Sequence, residues 1–215
     1  MTQQQSSLVL PLLKSGVMRR SVYKLNQDLP LSHQEVADLV GHVLKYTPSF
    51  FNVQSTRVLL LFGQDHQDLW EIVRETLRPL TGEAQWEATS KKIDGFRAAS
   101  GTAAFFEDMA AVRKLQAQFP LYKDSFDDWS DHGNAMNQFH LWQLLSAAGA
   151  GANLQHYNPI IDEKAKKRWN IPEAFRLRAQ LVFGGISEPA GEKEHLPLEK
   201  RMRVYGAQEI PRKVG

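Results

Sequence analysis

His132–Pro159 reads HGNAMNQFHLWQLLSAAGAGANLQHYNP, and the fold turns on how this stretch is read. Met136, Phe139, Leu141, Trp142, Leu144, Leu145 and Ala148 spread over most of a helical circumference, the pattern of a helix covered by neighbours on nearly every side. Gly149 and Gly151 then stop the helix, because glycine accepts the left-handed backbone that closes helices. Asn153 to Asn158 follow as a short polar and aromatic segment, able to lay backbone N–H groups beside a flat ligand. The same pattern fits a plain core helix with a glycine cap, so the rest of the chain has to decide.

With 215 residues, 42% of them hydrophobic, the chain is long enough for one domain with a substantial core, residues 1–215, in which the polar stretch 198–215 forms a C-terminal arm. Its 26 basic and 24 acidic residues leave a net charge of +2, which argues against a nucleic-acid surface and leaves room for a small anionic ligand. The absence of cysteine excludes disulfides, thiolate metal sites and thiol nucleophiles, so redox chemistry here requires a cofactor. No run reaches the roughly 18 apolar residues of a membrane span, and the opening MTQQQSSLVLPLLKSGVMRRSVYKL lacks the order of a secretory signal. The expected compartment is the cytoplasm.

Working outward, a first helix spans Ser7 to Met18 and ends at Arg19-Arg20-Ser21, two guanidinium forks beside a hydroxyl. Such a set suits a phosphate, although arginines at a helix end also simply favour the helix dipole. Ser32 and Glu35 have capping-box spacing ahead of Val36, Leu39, Val40, Val43 and Leu44, so a second helix runs to about Tyr46. Pro48-Ser49-Phe50-Phe51-Asn52-Val53-Gln54 is a loop whose Ser, Asn and Gln side chains match the edges of a heterocycle, or equally a side-chain-capped turn.

Arg57–Phe62, Ala103–Phe106 and Leu177–Gly185 read as strands, the last at the sheet centre. Helices are expected at Leu69–Leu77, Gly82–Phe96, Met109–Gln118 and after Asp162, with Phe126–Ser130 leading into the central one. Lys91 and Lys92 lie on the second of these helices, either within reach of a ligand oxygen or on a solvated face. Lys200, Arg201 and Arg203 form a late basic cluster. The histidines and aspartates around His132 lack the spacing of a metal site, and no metal is expected.

RRSVYKL, PSFFNVQ ahead of a strand, AASGTAAFFED, and the stretch from His132 to Pro159, taken in that order, resemble the nitroreductase family of flavoproteins over about residues 7 to 205. The W-S-x-H-x-x-A-M-x-Q-F helix and the LQHYNP segment are most similar to fungal fatty-acid-repression nitroreductases and their bacterial relatives. The resemblance implies an α+β sandwich with a central mixed sheet flanked by helices, forming an intertwined homodimer with FMN at its interface. It further implies that Arg19, Arg20, Ser21, Arg201 and Arg203 serve the phosphate, and that Ser49, Asn52 and Gln54, partly from the other subunit, serve the ring. Gln155, His156 and Tyr157 would present backbone N–H groups to flavin N5. Phe50, Phe51 and Tyr157 would wall the substrate pocket.

Where many family members carry a cation two residues after the serine, this chain has Tyr23, followed by Lys24. A phenol carries no charge, so Lys24 or Lys92 is left to favour the reduced ring. The implied activity is hydride transfer from NADH or NADPH through flavin N5 to a nitroaromatic or quinone in separate encounters, with no catalytic side chain. Two other readings stay open. One is a flavin-holding regulatory or oxidative-stress-response protein with weak reductase activity; the other is a flavin-free module binding a polyanion through its arginines.

Overall fold

The computed structural model describes residues 3–206, with side chains from Val9 onward. In chain order the elements are α1 (Gln3–Met18), β1 (Lys24–Asn26), α2 (His33–Tyr46), β2 (Thr56–Phe62), α3 (Gly63–Leu77), α4 (Glu83–Arg97), β3 (Gly101–Asp108), α5 (Met109–Gln116), α6 (Phe126–Ala147), β4 (Gly151–Gln155), α7 (Asp162–Trp169) and β5 (Phe175–Glu188). The expected helices and strands are present, mostly longer than expected. Residues 207–215 of the expected arm lie outside the described residues.

The strands form one sheet in the order β1-β5-β3-β2, with β4 also paired to β5. Opposite β3, one edge of β5 carries β4 against Gln180–Gly184 and then β1 against Gly185–Glu188. Every ladder between these strands is antiparallel, and the one parallel contact is an isolated bridge from Ser21 to Ala152. The expected mixed sheet is therefore corrected to an antiparallel one. The chain passes from β2 to β3 through two helices, which return it to the end it left, so the strands run in opposite directions.

Alternation along the strands sends side chains to two cores. Phe106, Leu177 and Val182 pack with Leu69, Trp70, Val73, Ile93 and Phe96 beneath α3 and α4. Phe105, Leu181 and Phe183 pack with Val36, Val40, Leu141 and Leu145 beneath α2 and α6. Burying each phenylalanine contributes roughly 1.5–3 kcal/mol. The glycine pair ending β5's core run is required by crowding: a Cβ on Gly184 would meet the Asn26 carbonyl oxygen at 2.4 Å, and one on Gly185 would meet that of Asp28 at 2.3 Å. The chain of β1 can cross there only over bare backbone.

Two features of the central stretch depart from expectation. The buried stripe of α6 is Phe126, Ser130, Gly133, Asn134, Asn137, Gln138, Leu141 and Leu145, half of it polar, while Met136 and Phe139 stand 42% and 50% exposed. Within the protomer, then, α6 is not covered on nearly every side. The second departure is that Gly151–Gln155 is a strand, so the loop is confined to the residues after Gln155. Gly149 does stop the helix, with φ at +87°.

Candidate functional site

The end of α1 and the segment leading to β1 form one wall of a cleft of about 420 Å³. Arg19, Arg20, Ser21, Tyr23 and Lys24 line it, facing Glu188 at the end of β5 and Pro189 to Lys193 beyond it. This wall is fastened to β4 by the Ser21–Ala152 bridge, by the Val22 N–H donating to the Ala152 carbonyl (2.9 Å), and by Asn153 Nδ2 donating to the Val22 carbonyl (2.8 Å). The Arg20 Nη2 donates to the Gly191 carbonyl at 2.7 Å, which ties the two walls together. Arg19 lays its guanidinium over Trp142 of α6, 4.5 Å from the ring centroid. Among the described residues, its Nε and the Trp142 Nε1 are both buried with no hydrogen-bond partner. Buried N–H donors rarely go unsatisfied, so the pair is an exception within the protomer.

Ser49 and Gln54 line a second pocket, of about 240 Å³, together with Thr47, Thr56, Arg57 and Asn137. Their loop is held in an uncommon shape, with Phe51, Asn52 and Gln54 at φ of 45°, 52° and 50°. Left-handed backbone at non-glycine residues costs on the order of 1–3 kcal/mol each and persists only where the surroundings enforce it. Here the Gln54 N–H donates to Ser49 Oγ (3.0 Å), and the Asn52 N–H to the Ser49 carbonyl (3.0 Å). The following residue, Ser55, donates from its hydroxyl to the buried Glu107 carboxylate, which also accepts from Asn134 Nδ2 (2.8 Å) and Thr56 Oγ1 (3.3 Å). Burial pushes the Glu107 carboxyl above the usual carboxylate range, against the lowering effect of those three donors.

Beyond β4, the Gln155 side chain is turned inward to Asn153 Oδ1 (2.8 Å), and the Tyr157 N–H donates to Gln180 Oε1 (2.8 Å). Burial, and secondarily the charge of Arg178, holds the His156 imidazole below its ordinary value. Burial likewise raises the Tyr157 phenol.

The structure thus brings Arg19, Arg20, Ser21, Tyr23 and Lys24 together and joins them through Asn153 to Gln155. The other residues singled out from the sequence lie elsewhere in the protomer. Lys92 is exposed on α4 with its ammonium 5.9 Å from the Phe96 ring centroid, and it does not line the cleft. Arg201 and Arg203 are exposed, and Arg203 donates to the Met202 carbonyl (3.2 Å) and to that of Glu199. Phe51 stacks on Phe119 (4.6 Å), while Phe50 and Phe51 both meet Phe126 and Trp129. Tyr157 packs instead against Trp70 and Phe96, so the three aromatic residues form no single wall within one protomer. Sequence reading did not single out Asn153, Gln180, Glu107, Lys193 or the Trp142 platform. A glutamine inside the apolar run of β5 was the one signal available for any of these.

An antiparallel sheet is covered by helices on both faces, and a cleft lined by four cationic side chains lies beside the short strand β4. Residues 17–185 match the nitroreductase family model, and the chain belongs to that family. The Saccharomyces cerevisiae protein HBN1 is 34% identical over 88% of this chain and 95% of its own. The nitroreductase CinD of Lactococcus lactis is 43% identical, with a TM-score of 0.83 over 91% of this chain and 100% of CinD, in its complex with nicotinic acid. CinD has also been solved with chloramphenicol and with 4-nitrophenol. A fold neighbour from Desulfovibrio desulfuricans, solved with FMN, has a TM-score of 0.66 over 91% of this chain and 97% of its own; at 17% identity it speaks to the fold alone.

Proposed function

We propose that the chain is an FMN-dependent NAD(P)H oxidoreductase that reduces nitroaromatic or quinone-type acceptors. It works as a homodimer of one-domain protomers whose residues 198–215 form an arm. The observation that carries this reading is the Arg19 cleft, in which Arg19, Arg20, Lys24 and Lys193 outnumber Glu188 and Glu192. The anionic oxygens of a phosphate match the guanidinium forks of Arg19 and Arg20. Held by these residues, FMN would supply the redox chemistry, hydride exchange between NADH or NADPH and the acceptor in separate encounters.

The residues of this chain bind, orient and exclude water. Arg19, Arg20 and Ser21 hold the phosphate, and Tyr23 and Lys24 flank the adjoining wall. Ser49, Asn52, Gln54 and the basic pair Arg201 and Arg203, which lie apart from the cleft within a protomer, reach it across the dimer interface. Exposed apolar surface supports such an interface: Leu10, Leu12, Leu13 and Val17 of α1 are 54–78% exposed, and Met136, Phe139, Met202 and Tyr205 add to the uncovered area. Phe50, Phe51 and Tyr157 then shape the acceptor's place from two chains. The nitro-bearing ligands of CinD support this acceptor class.

Anaerobic stopped-flow on the FMN-loaded protein tests the reading. NADH or NADPH alone bleaches the flavin band, and a nitroaromatic or quinone added afterwards restores it. Steady-state lines that converge, with no bleaching before the acceptor is added, contradict it.

A further inference from the structure

We infer that Gln180 is a positioning residue that selects which backbone N–H of the 155–157 segment faces the redox ring, withdrawing that of Tyr157 and leaving that of His156. This rests on the FMN reading above.

Gln180 is fully buried in the middle of β5, between Ala179 and Leu181, where an apolar side chain would otherwise serve the core. Its placement is explained by what it holds. An N–H can meet only the oxygen end of an amide, so the 2.8 Å bond from Tyr157 fixes Oε1 toward the loop, and Nε2 is left to donate to Asn158 Oδ1 at 3.4 Å. Gln155, the residue paired with Gln180 in the ladder, donates to Asn153 Oδ1, and Asn153 donates to the Val22 carbonyl, each at 2.8 Å. Asn153 is fully buried and Gln155 is 8% exposed.

Two buried amides, Gln155 and Asn153, therefore join the end of β4 to Val22, which sits between Ser21 and Tyr23 on the cleft wall, and Gln180, opposite Gln155 in the ladder, holds the loop that follows. The bracket fixes the distance between the phosphate end of the site and the loop that meets the ring. Inside it the Tyr157 N–H is committed to Gln180, whereas among the described residues the His156 N–H donates no backbone hydrogen bond outside the helices and strands. A donor with no partner to give up needs less reorganisation when an acceptor nitrogen arrives.

Gln180→Met keeps the length and removes the acceptor, and Gln180→Glu keeps an acceptor for the Tyr157 N–H. Amide hydrogen exchange on the unmodified protein is the first readout, and the Tyr157 amide is expected to exchange more slowly than that of His156. In Gln180→Met that protection is lost, and flavin reduction by NAD(P)H slows about tenfold, the worth of one misdirected hydrogen bond. FMN affinity changes little, and Gln180→Glu recovers most of the rate. A Tyr157 amide that exchanges as fast as that of His156, or a Gln180→Met protein that binds FMN and is reduced at the parent rate, overturns the inference. Should Gln180→Met not fold, the exchange data and the rate of Gln180→Glu decide, and a Gln180→Glu rate near zero with FMN still bound counts against it. Failure of the unmodified protein to take up FMN sinks the functional reading instead, and is seen separately.

Discussion

The Arg19 guanidinium lies 4.5 Å from the centroid of the Trp142 ring, so the cleft's first cation is oriented by a helix more than a hundred residues away in sequence. A stacked arginine is pre-aimed, whereas a lysine would bring charge without the planar fork. Arg19→Lys is therefore expected to weaken FMN binding about tenfold, and Arg19→Ala about a hundredfold, in fluorescence-quenching titrations. An unchanged Kd for Arg19→Ala would remove this residue from the site.

Glu107 anchors the strained loop that precedes β2. Glu107→Ala strands the Ser55, Thr56 and Asn134 donors and leaves a void, which should cost about 3 kcal/mol or more. Glu107→Gln, which can still pair with these groups, should cost about 1 kcal/mol. Urea unfolding of both variants measures the difference, and an alanine variant within about 1 kcal/mol of the parent would show that the network holds nothing.

Burial pushes the Asp162 carboxyl up to about 6, and burial together with lesser effects pushes the His66 imidazole down to about 4. Between pH 4 and 6 the folded chain keeps an Asp162 proton that the unfolded chain releases, so this group makes stability fall as pH rises. His66 is neutral when folded but protonated when unfolded over the same window, and makes stability rise with pH. The two slopes oppose. Asp162→Asn removes the first, so its stability relative to the parent should grow from pH 4 to 6, by at most about 3 kcal/mol, and then level off. A difference that does not vary with pH would contradict this.

The apolar face of α1 gives a direct handle on assembly. Val17 is 78% exposed and Leu13 58%, so Leu13→Glu with Val17→Glu should leave the protomer's core intact. The double variant is expected to sediment as a monomer and to lose FMN together with its partner. Sedimentation like that of the parent would place the interface elsewhere.

What was legible in the sequence was local. The Ser32–Glu35 capping box is formed, with the Glu35 N–H donating to Ser32 Oγ (3.2 Å) and the Ser32 N–H to Glu35 Oε2 (2.7 Å). The apolar runs of β2, β3 and β5 are strands for the reasons their composition gave. What escaped depended on partners remote in sequence. GANLQ reads as a loop because its polar residues look solvent-facing, yet Asn153 and Gln155 are buried amides paired with each other and with Val22. The facing of α6 was hidden for the same reason. Asn134 turns inward because Glu107 and the Phe106 carbonyl receive it, and Gln138 follows by donating to Asn134 Oδ1, which leaves Met136 and Phe139 outside. Periodicity finds an apolar stripe, but not which stripe the protomer keeps for itself.

Sedimentation velocity of the FMN-loaded protein, followed at once in the protein and flavin absorbance bands, tests the central claim most directly. A yellow dimer carrying one FMN per chain is the predicted result. A colourless monomer that takes up no FMN when offered an excess would contradict it.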